Sequence, residues 1–461
     1  MDILNQLNLG YEGFNQANEE TLQYLSKALT AGSGVDAAAF TGGRALTPEN
    51  LDATLVNILH SQEDAILFQK LKKQPIPSPV YQWDKRTEVG ADDGAWVSEG
   101  GNSQDTDQTI ARAYATAKYL QTRRTVTLQA SVSNMIENAI ALEKNAGTLW
   151  IIRNVEKALF NANSAYNSLE PDGLKAQITA TDNILDMRGA TAASSAFADK
   201  IEKAAQVIRN NYGKPTDIFC STMAMTDVQK LLRDRVRFEP TTDQAGSAVF
   251  MKYHTSFGSP QLNPDIFVKE GDVPAASSLS GRPDAPTISS TAHGAHASSQ
   301  FAAADAGDYV YKVVGINAYG DGDVSAESIV TAVAAGERVT LNVAKGTTTP
   351  TAYKVYRSKK GGATGAEVRY MFTVAYASSP QAIYDYNADL PGCSDVFMLN
   401  MDPMYDAIEF AQFLPMMKFD LYPTNAAVFP FLMLLFGTLV VKKAQQHVRI
   451  KNVAPSTLGW F

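Results

Sequence analysis

The residues that could do chemistry are few. There are five histidines, and only His293 and His296 approach a ligand spacing, as a weak H-x-x-H in a Gly/Ser/Ala-rich stretch. His60 closes a helical pattern, His254 stands alone and His447 sits in a basic strand pattern. Cys220 and Cys393 form no C-x-x-C pair, so neither a zinc site nor a disulfide framework is indicated, and a reducing compartment is expected. "DYNADLPGCSDV" sets Asp385, Asn387 and Asp389 at calcium-loop spacing. Leu390 stands where such a loop needs Gly and Val396 where it needs Glu, so the segment reads as a turn. Asp321 and Asp323 in "YGDGDVSAE" likewise occupy a tight turn. Lys442, Lys443, Arg449 and Lys451 cluster, either for phosphate contact or as a solvated strand face. No P-loop, H-E-x-x-H or G-x-S-x-G occurs. No catalytic, metal or cofactor residue is therefore assigned, and a hydrolase would lack its nucleophile and base.

The elements that would carry these residues follow from pattern. About Glu19 to Leu29 is a short helix, followed by a loose Gly/Ala segment. In "LTPENLDATLVNIL", Thr47 caps, Pro48 takes the first helical position, and Leu51, Leu55 and Ile58 recur at helical spacing. Residues 75–128 read as two extended arms around a polar tip, with Ile110, Tyr114, Val126 and Leu128 in period-two patterns and Ala111, Ala113, Ala115 and Ala117 on an opposite face. Such a ribbon buries little alone; a neighbouring subunit, or its own domain, must cover it. A long helix follows from Asn134 to Asn163, with Asn134 and Glu137 at capping-box spacing and Ile136, Ile140, Ile151, Val155 and Leu159 in line, a rod of roughly 40 Å.

Helices and strands then alternate to about Lys269: a helix with Phe197, Ile201, Ala204 and Ile208 inward, the strand "TDIFCST" and the helix "AMTDVQKLLRDRV". The stretch from Lys269 to about Ser299 reads as a linker. Beyond it, "DYVYKVVGINAYGDGD", "ERVTLNV", "TAYKVYRSKKGG", "VRYMFTVA" and "AIYDY" are short alternating runs that specify a β-sandwich. After Cys393 the sequence resumes the style it had before the linker, so the sandwich is inserted rather than appended.

From Ala426 to Val441 no residue is charged. The span falls short of the ~20 residues of a membrane helix. Pro430 and Gly437 interrupt it, and two short buried strands are expected there. The acidic opening segment has no signal-peptide pattern. A formal charge of -8 disfavours a general nucleic-acid binder, and 45% hydrophobic with 19% charged residues is ordinary globular composition.

Taken in order, these pieces, with phrases such as "ALTPENLDATLVNIL", "EPDGLKAQI" and "DAIEFAQFLPMMKFDL", give an α+β chain that resembles the major capsid proteins of tailed bacteriophages, the Hong Kong ninety-seven-type fold, over about residues 45–275 and 397–455. The resemblance implies this partition: 1–46 N-terminal arm; 47–74 start of the peripheral domain; 75–128 extended loop hairpin; 129–165 spine helix; 166–277 axial domain; 278–396 an inserted all-β sandwich; 397–461 a return segment completing the axial and peripheral domains. The insert resembles immunoglobulin-like or fibronectin type III domains, except that the late-type strand "YVYKVVGINAYGDGDVS" precedes the middle-type strand "AYKVYRS". A permuted or differently wired sandwich is expected.

What the resemblance implies of function is a structural, non-enzymatic major capsid protein of the virion. It would self-assemble as a homo-oligomer of hexamers and pentamers into an icosahedral shell around double-stranded DNA, without sequence-specific binding or membrane. Scaffolding, portal and decoration proteins would be partners, assembly would occur in the host bacterial cytoplasm, and the immunoglobulin-like domain would project outward. Some relatives cross-link through a loop lysine; Lys85 and Lys118 lie in the matching region, but nothing singles out partners. A phage surface or tail adhesin whose sandwich binds carbohydrate is the alternative, and an encapsulin-like compartment is a variant of the first reading.

Overall fold

A computed structural model describes residues 64–90, 96–102, 107–132, 138–235, 251–268, 272–275, 280–423 and 426–456. The expected arm, the helix beginning at Thr47 and the Asn134–Glu137 capping pair lie outside the described residues.

The first elements are helix α1 (Ile66–Lys70) and strands β1 (Lys73–Pro75), β2 (Val80–Glu88), β3 (Thr109–Thr116) and β4 (Lys118–Thr127). β2 and β3 pair antiparallel from Val80 with Thr116 to Glu88 with Thr109. The expected hairpin is thus shorter than residues 75–128. β4 leaves it at Ala117 and joins a core sheet, because Val126 and Leu120 alternate toward an apolar interior.

Helix α2 (Ala139–Asn161) has 23 residues, about 34 Å. Its N-cap is Asn138, whose side chain accepts from the amides of Ile140 and Ala141. Ile151, Ile152, Val155, Leu159 and Phe160 form its buried stripe. Gly147 brings it close to the sheet: a Cβ there would stand 2.5 Å from Met433 Sδ.

Next come β5 (Ile184–Asp186), α3 (Ser195–Asn210), β6 (Asp217–Cys220), α4 (Thr222–Arg235) and β7 (Gln261–Pro264). α3 buries Phe197, Ile201, Ala204 and Ile208, the four residues its periodicity marks. The expected linker contains a strand, β8 (Thr287–Ala295). Its Ser, Thr and Ala side chains carry little apolar signal, yet backbone pairing along a sheet edge needs none. The remaining strands are β9 (Gly307–Asn317), β10 (Gly320–Val324), β11 (Ser328–Val333), β12 (Glu337–Ala344), β13 (Ala352–Arg357), β14 (Arg369–Ala375), β15 (Gln381–Asp385), β16 (Ser394–Leu399), β17 (Ile408–Asp420), β18 (Val428–Val441) and β19 (Val448–Val453).

Two core sheets share the returning C-terminal strands. One runs β1-β17-β18-β4 and the other β5-β19-β16-β6-β7. α2 packs on the first, where Ile151, Val155 and Leu159 meet Phe410, Phe431, Met433 and Leu435. α3 and α4 pack on the second around Ile218, Val396, Val448 and Ile450. Each such side chain contributes on the order of 1.5–3 kcal/mol when fully buried. Between β7 and β16, β10-β9-β13-β14, with β11 also on β9, faces β15-β12-β8. Tyr309, Tyr311 and Val313 from one sheet and Val339, Leu341 and Ile383 from the other fill the space between them. β13 comes after β9 in the chain and pairs with it antiparallel.

The apolar run is one strand of 14 residues, not two short ones. Pro430 pairs with Thr125 of β4, and its carbonyl accepts from the Leu421 amide at 3.0 Å just past the last β17–β18 pair, Asp420 with Phe431, so the one bond its missing N–H cannot return lies at the end of that ladder. Gly437 is required by contact: a Cβ would meet the Phe410 ring at 2.6 Å and the Ala411 carbonyl oxygen at 2.8 Å.

Candidate functional site

The residues marked by type and spacing are occupied with holding the fold. His293 lies on β8, not in a linker, and its Nδ1 meets Glu337 Oε2 at 2.6 Å. His296 packs its ring against Tyr386, and His254 contacts Ser259 Oγ through Nδ1. His447 is fully buried; its Nδ1 accepts from the Asn400 amide, and burial pulls its pKa down to about 4. Among the described residues no three or more His, Cys, Asp or Glu side chains are grouped to hold a metal ion. Neither cysteine is in a disulfide, and burial pushes the Cys393 pKa up.

Of the four basic residues, Lys442, Arg449 and Lys451 are withdrawn into ion pairs, while Lys443 is exposed, as a solvated strand face expects. Lys442 pairs with Asp406 at 2.6 Å and Glu409 at 2.9 Å, Arg449 with Asp395 at 3.0 Å, and Lys451 with Asp389 at 3.4 Å. Lys443 Nζ donates to the Tyr405 carbonyl. Spacing in sequence could not reveal these partners, since each lies on another strand or loop.

Two buried polar constellations escape a reading of the sequence. Inside the sandwich, Arg357 Nη1 donates to Asp385 Oδ2 at 2.6 Å and Nη2 to Asn387 Oδ1 at 2.7 Å, while the Tyr311 hydroxyl donates to Asp385 Oδ2 at 2.8 Å. The calcium-like spacing of Asp385 and Asn387 thus serves a buried guanidinium. Under α2, Glu156 accepts from the amides of Leu67 at 2.7 Å and Phe68 at 2.9 Å and contacts the Asp265 carboxyl. Both carboxyls are fully buried. Burial, and then the contact with Asp265, raise the Glu156 pKa well above the carboxylate range. A charged residue inside an apolar pattern, such as Arg357 in "AYKVYRS", is the one signal that could have pointed to either.

Two apolar surfaces remain without a partner in the described residues. The first is the hairpin. Its root is anchored where Tyr81, Trp83 and Ala115 pack with Ile76, Ala117, Ala411, Phe413 and Val440. Away from the root, Ile110 and Tyr114 are exposed, Val89 is 78% exposed, and Trp96 is 94% exposed. The second is the outer face of the β17–β18–β4 sheet. Phe431, Met433 and Leu435 point to α2, so Leu432, Leu434 and Phe436 alternate to the other side, where they are half-buried. Beside them Met417, Phe419 and Tyr119 are exposed, and Tyr119 meets Phe436 edge to face at 4.8 Å. Contiguous exposed apolar surface of this kind marks a contact site.

A family model described as SU10 major capsid protein matches residues 23–281, more than half of the chain. The chain belongs to that family. It is a phage major capsid protein, a structural component of the virion capsid and not an enzyme. The major capsid protein of Staphylococcus phage K is 23% identical over 452 residues, covering 93% of this chain and 94% of that one. The major capsid protein of Staphylococcus phage S25-3 matches with the same figures. Among solved structures, the holo-SrpI encapsulin complex from Synechococcus elongatus shows 10% identity and a TM-score of 0.43, with 89% of this chain and 94% of that one covered. Mycobacterium phage Bobi shows 8% identity and a TM-score of 0.47, covering 88% and 95%. The core of this capsid protein is mixed α+β, with the β2–β3 hairpin, the long helix α2 and two sheets.

Proposed function

We propose that the protein assembles into hexamers and pentamers of an icosahedral shell around phage DNA, with each β2–β3 hairpin lying across the outer face of a neighbour's β17–β18–β4 sheet. The observation that carries this reading is the pair of unpartnered apolar surfaces, one on a two-stranded ribbon and one on a sheet. A ribbon is marginal alone in water, and a second copy covers both surfaces at once. In this reading α2 and the β17–β18 sheet are the peripheral domain with its spine helix, and α3, α4 and the β16–β19 sheet are the axial domain. The net charge of -8 suits a wall that encloses DNA without adhering to it. Scaffolding, portal and decoration proteins are its partners during assembly in the host cytoplasm.

The inserted sandwich is read as immunoglobulin-like and projecting outward. Supporting this, the Tyr309 hydroxyl near the start of β9 donates to the Asp305 carbonyl just upstream, the tyrosine-corner arrangement of such sandwiches.

Electron microscopy of the purified protein, with scaffold supplied where needed, tests the proposal. Wild type should form closed shells, and Trp96→Ser with Tyr114→Ser should stop at unassembled subunits that remain folded. Shells from that variant as abundant as from wild type would refute the hairpin's role.

A further inference from the structure

The sandwich and the core sheets fall within one compact unit, and the contact between them is unusually specified. Two short core segments form the receiving side: the turn after β5 and the end of β19. Arg188 on that turn donates through Nη2 to the Gln300 carbonyl at 2.7 Å, through Nη1 to the Gln300 side-chain carbonyl, and through Nη1 to the Asn387 carbonyl at 3.3 Å. Asn452, 4% exposed, donates to the Ala388 carbonyl at 2.9 Å and accepts from the Leu390 amide at 2.9 Å. The same Asn452 amide group donates to Asp186 Oδ1 at 2.8 Å, and Lys451 Nζ donates to the Ala388 carbonyl at 2.8 Å.

Backbone conformation at this junction is equally specific. Arg188, Asn387 and Asn452 have φ of 52°, 59° and 59°, the left-handed region that L-residues rarely enter. Asn tolerates it; Arg enters it only at a steric cost. Three such residues, joined by hydrogen bonds either directly or through the Asn452 carbonyl, which accepts from the Gly189 amide at 3.1 Å, are held there by their surroundings. On the sandwich side the junction continues inward: the Asn387 side chain accepts from Arg357, and its backbone amide donates to Asp385 at 2.7 Å. The core's Arg188 is therefore in direct contact with the residue that closes the sandwich's own buried ion pair.

We propose that Arg188 and Asn452 lock the sandwich in one orientation on the core, so that the insert is carried as a rigid part of the subunit and not on a hinge. A flexible tether would need none of these bonds, since the sandwich has its own apolar interior. Polar, directional contacts at a small junction fix angle where apolar contact would tolerate sliding.

The test uses the full-length chain with Arg188→Ala and Asn452→Ala combined, and Arg338→Ala, in the sandwich away from the junction, as control. Reconstructions of assembled shells should show the sandwich density smeared in the double variant and sharp in wild type and control. Hydrogen exchange on the unassembled chain supplies a second measurement that does not need shells. There the Leu390 and Gly189 amides should exchange at least about tenfold faster, while β9 and β13 keep their protection. Sandwich density as sharp in the double variant as in wild type, or unchanged exchange at Leu390, would overturn the proposal. Loss of protection in β9 and β13 would also overturn it, because the two residues would then be needed for folding and not for orientation.

Discussion

Glu156 and Asp265 put two carboxyls in contact under α2, with no lysine or arginine among the described residues bonded to either, and both pKa values are raised, by burial first. A raised carboxyl pKa means the folded state holds a proton the unfolded chain gives up. Stability is then fullest below about 4.5, the ordinary glutamate value, and falls as pH rises through the elevated folded value. Urea midpoints measured against pH should decline on the alkaline side in wild type and decline less in Glu156→Gln, whose amide can donate to Asp265 without titrating. His447 acts with the opposite sign. Its folded pKa of about 4 lies below the ordinary 6.5, so stability is lost as pH falls from 6.5 through 4, and His447→Gln should flatten that limb. In the sandwich, Arg357→Ala leaves Asp385 buried without its cation and should cost about 3–5 kcal/mol by denaturant unfolding. None of these pairings is readable from spacing: Arg357 and Asp385 stand 28 positions apart in sequence, on β13 and β15 of the two facing sheets, and only the packing of one sheet on the other brings them together. What sequence does show at this scale is negative, the absence of a catalytic or metal motif, which agrees with a structural protein.

At the scale of elements, patterning is a better guide. The inward line of α3 is read from its 3.6-residue period because one face is buried and the other wet. β12 is legible for the corresponding reason at period two, whereas β9 and β13 are buried on both faces and stand out as short apolar runs. β8 is missed because its small polar residues pair at an edge and bury little, and β18 is divided in two because Pro430 and Gly437 carry turn meanings that neighbouring strands override. β18 lies between β17 and β4, so substitutions there should be severe. Leu435→Asp puts a charge into the interior shared with α2 and should prevent folding, seen as insoluble protein or lost far-ultraviolet dichroism. Gly437→Ala forces the Phe410 ring and the β17 backbone apart and should cost about 1–3 kcal/mol in unfolding free energy.

For the whole molecule, chain order is the legible feature: an excursion into a β-sandwich and a return that supplies β16 and β19 to one core sheet and β17 and β18 to the other. The junction between sandwich and core is not, because Arg188 and Asn452 are single polar residues whose partners lie far along the chain. Excising residues 281–391 and joining the ends should leave a soluble core, since both core sheets keep every strand. That core should lose no more than about 1 kcal/mol, because removing Ala388 and Leu390 opens the Asn452 side chain to water, which can replace the bonds they made. The central claim is that the exposed hairpin and the exposed sheet face belong against each other in different copies. Mass measurement of the intact particle formed by the full chain, beside the Trp96→Ser, Tyr114→Ser variant, tests it most directly. A closed particle of many subunits is expected for wild type and free subunits or small oligomers for the variant; wild type that stays monomeric or grows only into open rods would contradict this contact between copies.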